Sequence, residues 1–161
     1  MSAAVSLSPS YPVARAAFLD AAVAAGARRQ SYAHPLTGPQ GEDLAVDVAE
    51  LGPMDANTVV LVVSATHGVE GYCGSALQTH WLVNHSDERP DALRVVNIHA
   101  LNPFGFAWVR RVNEDNVDLN RNFVDWSHPA PVNADYERIA DILVPHQWTE
   151  AEQERTTAEL L

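Results

Sequence analysis

The chain is poor in the features that mark several protein classes. Its 161 residues hold a single cysteine, Cys73, so no disulfide can close within it, and a small disulfide-stapled scaffold is excluded. Only 10 Lys and Arg stand against 21 Asp and Glu, for a formal net charge of −11. No basic stripe exists, and phosphate backbones would be repelled, which argues against nucleic-acid binding. No stretch approaches the roughly 20 apolar residues of a membrane span. The segment from Met1 to Tyr11 lacks the basic start and continuous apolar core of a signal peptide. Low-complexity runs, internal repeats and a domain-dividing linker are absent too. With 47% hydrophobic residues, the chain reads as globular, long enough for one core, with the cytoplasm as the expected compartment.

Periodicity lays out the elements. Pro12 to Ala27 is alanine-rich with apolar residues at helical spacing, a helix against a sheet, with Gly26 helping to end it. Ser31 to Gly41, with two prolines and two glycines, reads as loop. Leu44 to Leu51 alternates like a strand, and Pro53 to Asn57 turns the chain. Thr58 to Ser64 is a valine-rich central strand, Glu70 to His85 a helix, Asp87 to Asp91 a polar turn and Arg94 to Ile98 the next central strand. A loop from Asn102 to Asn122 follows, then a helix over Ala134 to Leu143 and a charged helical pattern from Thr149 to Leu161. Alternating helices and strands predict an α/β fold with a mixed, largely parallel central sheet flanked by helices.

Two stretches carry the chemistry. The first, Ser64-Ala-Thr-His-Gly-Val-Glu-Gly71, places His67 and Glu70 where the valine-rich strand should end. Imidazole and carboxylate are both good Zn²⁺ donors, and a catalytic zinc takes three protein ligands with one position open. Three positions apart, His67 and Glu70 can share an ion if strand turns into helix between them, a turn that Gly68 and Gly71 would allow. Alone, such a pair is usually a surface or capping feature. The second stretch, Asn102 to Phe123, crowds polar residues between two apolar patches, as binding loops do. Asp118, Asn120 and Arg121 can bind anions or orient ligands, and Arg110 and Arg111 can hold a carboxylate or an oxyanion. The plainer alternative pairs these arginines with Glu114, Asp115 and Asp118. Both stretches would project from the carboxyl edge of the sheet, where α/β folds bind ligands.

Taken together, Thr66-His-Gly-Val-Glu-Gly71, Asn102-Pro-Phe-Gly105 and Val117-Asp-Leu-Asn-Arg-Asn-Phe123 resemble the zinc carboxypeptidase superfamily, which also holds the aspartoacylase and succinylglutamate desuccinylase deacylases. The extended runs Gly68-Val-Glu-Gly-Tyr-Cys-Gly-Ser75 and Arg111-Val-Asn-Glu-Asp-Asn-Val-Asp118 look most like an uncharacterised bacterial carboxypeptidase-like branch. The resemblance implies Zn²⁺ on His67 and Glu70, with Asp118 bonded to the second ring nitrogen of His67. It implies Arg111, or less favourably Arg110, at the scissile carbonyl, and Asn120 with Arg121 gripping a free carboxylate. The implied activity is zinc-dependent cleavage of an amide bond beside that carboxylate, in a small peptide or an N-acyl amino acid.

The superfamily also needs a third ligand, a His at a later strand end, and later still a glutamate base. Both are expected beyond Leu161, so 1–161 reads as the amino-terminal part of one such domain, inactive alone. His99 is expected to pack or hydrogen-bond near the sheet edge, and His34, His128 and His146 to be exposed. His80 and His85 lie too far along their helix to share an ion with Glu70. Cys73 reads as a packed thiol, and Tyr72 and Trp126 as core or edge packing. Phe106 and Trp108 either line a pocket or fold back over the sheet. A non-catalytic carboxylate-binding fragment is the alternative from another class. A Ca²⁺ or Mg²⁺ loop on Asp115, Asp118 and Asp125 fits no EF-hand spacing.

Overall fold

A computed structural model describes residues 7–161, so the reading of Met1 to Ser6 lies outside the described residues. The chain divides into a unit ending at Phe123 and a second unit, Val124–Leu161. The first runs α1 (Tyr11–Ala24), β1 (Arg28–Thr37), β2 (Asp43–Leu51), β3 (Thr58–Val63), α2 (Gly68–Asn84), β4 (Leu93–His99) and the short α3 (Pro103–Ala107). The second holds α4 (Ala134–Leu143) and α5 (Glu150–Leu160), capped by the Asn133 and Thr149 side chains, which accept from the Tyr136 and Glu152 amides. No described helix is long and apolar enough to cross a membrane.

The fold is mixed α/β with one four-stranded sheet ordered β1-β2-β4-β3. Parallel pairing is confined to β3 with β4, while β1–β2 and β2–β4 are antiparallel; the sheet is mixed as expected but less parallel. The expected loop at Ser31 to Gly41 is instead largely strand, because β1 pairs along β2 from Arg28 to Ala33. Proline lacks the ladder donor, and the register breaks between Ala33 and Thr37, where Pro35 lies.

Alternation sorts the sheet's faces. Ala45, Asp47 and Ala49 of β2 and Val95, Asn97 and His99 of β4 are buried, while the alternate residues Val46, Val48, Val96 and Ile98 are half-buried. Phe18, Ala21 and Ala22 of α1 pack with Ala49 and Leu82, and Tyr11 and Ala14 pack with Leu44 and Phe106. Gly71, Ser75, Gln78 and Leu82 mark the buried stripe of α2. Cys73 falls on the opposite side of that helix and is exposed, not packed. Tyr72 does pack, edge-on to Phe106 at 4.7 Å, whereas Trp126 is 71% exposed and so not a packing residue of its unit.

Polar residues are built into this core. Asp47, fully buried, accepts from Arg15 Nε (2.7 Å), Arg15 Nη2 (3.3 Å) and the Ser31 hydroxyl, which offsets the cost of burying its charge. His99 stands opposite Asp47 across the β2–β4 ladder, stacks on Phe18 at 4.4 Å and shares a 2.9 Å hydrogen bond from Nε2 with Ser75 Oγ. It therefore packs in the interior on an inner strand, not at the sheet edge.

Burial pulls the His99 imidazole down to about 4, with Arg15 adding to the effect and the Asp47 carboxylate opposing it. An unfolded chain takes up this proton below about 6.5, whereas the folded one resists until its own lower pKa. Stability from this group is thus full above that range and is lost as pH falls toward 4. We expect denaturant unfolding between pH 7 and pH 4 to show about 3 kcal/mol of loss that is absent from His99→Leu. At the other side of the sheet, β3 is an edge strand whose Val59, Val60, Leu61 and Val63 are exposed, with no charge or proline among them. Such an edge templates association, so sedimentation should show concentration-dependent self-association that Leu61→Lys suppresses.

Candidate functional site

The carboxyl ends of the two parallel strands are laced together. Ser64 N–H donates to the Ile98 carbonyl (3.0 Å), Leu101 N–H to Ser64 (3.0 Å) and Asn102 N–H to Ala65 (2.9 Å). Each strand then leaves the sheet through a left-handed alanine, Ala65 at φ 55° and Ala100 at φ 59°. Non-glycine residues held there cost about 1–3 kcal/mol each, which the surrounding bonds must offset. Ala65, rather than either glycine, therefore makes the turn into α2.

Gly68 has a different task. Its N–H donates to the Arg110 carbonyl (2.9 Å), and Arg110 N–H donates to Gly105 (2.8 Å). A Cβ at position 68 would overlap the carbonyl oxygens of both Gly105 and Arg110. The start of α2 thus touches α3 and the following loop backbone to backbone. Asn102 caps α3 by accepting from Gly105 N–H at 2.7 Å, which holds the far side of the same junction.

This junction brings the two sequence motifs together. His67 is the N-cap residue of α2 but makes no capping bond, so its ring is free to face outward from the helix. The ring's Nε2 lies 3.0 Å from Asp118 Oδ1 and its Nδ1 3.4 Å from Glu70 Oε1. Asp118 accepts further bonds from Arg111 Nε (2.8 Å) and the Asn120 amide (2.9 Å). The His67 bond foremost holds the Asp118 carboxyl down to about 2; burial opposes it, and the bonds from Arg111 and the Asn120 backbone N–H add to the lowering. An anionic Asp118 accepts from Nε2–H of His67. That bond leaves Nδ1 turned toward the Glu70 carboxylate, with a nitrogen and an oxygen that can both be metal donors facing one another. Glu70 is 66% exposed, so solvent reaches the space beside it.

The other predicted residues separate by role. Only Nε of Arg111 is tied to a carboxylate, on a side chain 54% exposed, leaving its terminal nitrogens open. Arg110 instead lies 5.8 Å over the Phe104 ring and bonds Asn116 at 3.1 Å, a bracing position. Asn120 and Arg121 are exposed in a 3₁₀ turn over Leu119–Arg121. Arg121 donates to the Asn120 carbonyl (3.1 Å), and no carboxylate among the described residues pairs with it. Phe106 is fully buried and folds back into the core, while Trp108 is partly exposed and donates to the Thr37 carbonyl at 3.2 Å. His128 and His146 are exposed as expected.

His34, expected to be exposed, has its side chain only 12% accessible and pairs with Glu114 at 3.2 Å. The reading as proline-rich loop hid it; the available signal was a proline inside a strand, which forces a bulge and redirects its neighbours. Among the described residues, no group of three His, Cys, Asp or Glu is placed to hold a metal ion. The site therefore presents two donors, His67 and Glu70, of the three that a catalytic zinc uses. Because a Cβ at position 68 would overlap two backbone carbonyls, Gly68→Ala should cost about 1–3 kcal/mol in denaturant unfolding, as overpacking does.

Comparisons with known proteins place the chain in a family. No curated protein matches it. Among solved structures, a Fimbriiglobus ruber glutaminyl cyclase shows a likeness with 16% identity and a TM-score of 0.39, over 58% of this chain and 38% of that one. The chain thus spans well under half of that protein, and a likeness of this size carries no argument. A family model described as "Protein of unknown function (DUF2817)" matches residues 7–161. With nearly its whole length matched, the chain belongs to the DUF2817 family.

Proposed function

We propose that this chain carries part of the centre of a zinc-dependent hydrolase, one that cleaves an amide bond next to a free carboxylate in a peptide or N-acyl amino acid. The observation that carries the reading is the orientation of His67. Its Nε2 is tied to Asp118 at 3.0 Å while its Nδ1 faces the Glu70 carboxylate at 3.4 Å. An imidazole nitrogen and a carboxylate oxygen facing each other at this distance need a proton or a metal cation between them, and both are donors that Zn²⁺ accepts. The carboxylate behind the ring fixes its tautomer and raises its basicity, as outer-shell partners of metal-bound histidines do.

When bound, zinc supplies an acidified water, with a pKa of about 7, and polarises a carbonyl. The chain's own residues do the rest. Arg111, anchored through Nε, turns its remaining donors to the oxyanion that develops on the attacked carbonyl. Arg121 and Asn120, exposed and not paired with acids, hold the substrate's carboxylate. The reading requires a third protein ligand and a base from outside residues 1–161.

Zinc titration by calorimetry tests it. With its third ligand present the protein should bind one Zn²⁺, which the two donors of this chain alone hold more weakly; His67→Ala should abolish that binding, and Asp118→Asn should weaken it by about 10–100-fold without loss of the fold. Failure of the protein that carries the third ligand to bind zinc, or equal binding by its His67→Ala variant, would overturn the reading.

A further inference from the structure

We propose that His34 is a positioning residue for the loop that presents Arg111 and Asp118, acting through Glu114 and Phe104; the functional meaning of that role rests on the proposed zinc site.

The loop between Arg110 and Asp118 is held at both ends. At its start, Gly68 N–H bonds Arg110 and Arg110 N–H bonds Gly105. At its end, Asp118 meets His67 and Arg111. The middle is a tight turn: Asn113 N–H donates to the Val117 carbonyl (3.0 Å), and Asn113 Oδ1 accepts from the Asp115 (3.1 Å) and Val117 (2.8 Å) amides. Asn116 completes that turn at φ 62°. Internal bonds shape the turn but do not attach it to the sheet. Glu114 supplies the attachment, reaching His34 Nε2 at 3.2 Å.

The sheet delivers His34 to this point by a bulge. Ala33 pairs with Ala45 and Thr37 with Asp43, so His34, Pro35 and Leu36 stand opposite Leu44 alone. A bulge bends its strand and redirects a side chain. Here it turns His34 off the β1 ladder toward α3, with its ring 6.2 Å from Phe104. Phe104 in turn stacks on Trp108 (5.6 Å) and lies beneath Arg110, so the imidazole braces the loop's root as well as its middle. The tautomer follows from geometry. Leu36 N–H donates to Nδ1 at 3.1 Å, placing the proton on Nε2, which lies 3.2 Å from the Glu114 carboxylate. The contact needs no charge on the imidazole.

The test compares the full chain with His34→Ala, His34→Gln, Glu114→Ala and the double variant His34→Ala/Glu114→Ala. Amide exchange over Arg110–Asp118 should be about tenfold faster in each alanine variant, and no faster in the double variant than in the singles. Amides of the β2–β4 ladder should keep their protection, and the Arg111 Nε–H resonance should broaden or shift. His34→Gln, which keeps an N–H donor for Glu114, should restore the loop protection and the Arg111 signal in large part. Unchanged loop exchange in His34→Ala, additive effects in the double variant, or equal loss across the whole sheet would overturn the proposal. Zinc titration of the protein that carries the third ligand separates the two ideas: absence of zinc binding removes the proposed activity, while the exchange data still decide the role of His34.

Discussion

The backbone contact at Gly68 is the constraint on which the site depends. A helix N-terminus carries free N–H groups that need partners, and here one of them finds the Arg110 carbonyl across a gap that no side chain could share. That contact joins a residue following β3 to a residue following α3. Without it, His67 and Asp118 would sit on separate excursions from the sheet. The pairing of an N-cap histidine with a distant carboxylate is thus a consequence of backbone packing, and the side-chain bonds refine a meeting already imposed.

Behind the junction, the two parallel strands provide rigidity of a particular kind. Ala65 and Ala100 occupy a left-handed conformation that alanine resists, and the crossing bonds among Ser64, Ile98, Leu101, Asn102 and Ala65 hold them there. Just before the second of these turns lies His99, buried and bonded to Ser75 of α2. Ser75 also lies on the helix that begins at His67. The buried Arg15–Asp47 pair completes a polar layer between α1 and the sheet. Such a layer costs desolvation, offset by the Arg15–Asp47, Ser31–Asp47 and Ser75–His99 bonds. Helix α2 is thereby set in place at two levels, by Ser75 on its inner face and by Gly68 at its start.

The strongest elements were legible from pattern because they bury a regular stripe. Alanine-rich spacing marked α1, valine runs marked β3 and β4, and the polar spacing after Asn133 marked α4. Strand β1 was not legible, because its residues are almost all exposed and Pro35 interrupts them; its existence depends on β2 offering an edge. The direction of β1 and β2 was equally hidden, since alternation reports which face is buried and says nothing of a neighbour's polarity. Of the site, His67, Glu70, Asp118 and Arg111 were picked out by residue type and spacing. Arg110 and Arg111, adjacent and chemically identical, were ranked only by the family resemblance, and the structure sets one against Phe104 and Asn116 and the other against Asp118.

Residue type and order alone determined the α/β character of this chain, its acidic balance and the identity of two potential metal donors followed by a loop of anion-binding side chains. Periodicity and donor chemistry are local properties, written into short windows. Tertiary structure alone decided that His67 would turn one nitrogen to Asp118 and the other to Glu70, that Gly68 would be required for its lack of a side chain rather than for its flexibility, and that His34 would leave its ladder to meet Glu114. Each of these depends on a distance between segments far apart in the chain, which packing sets and no local window contains.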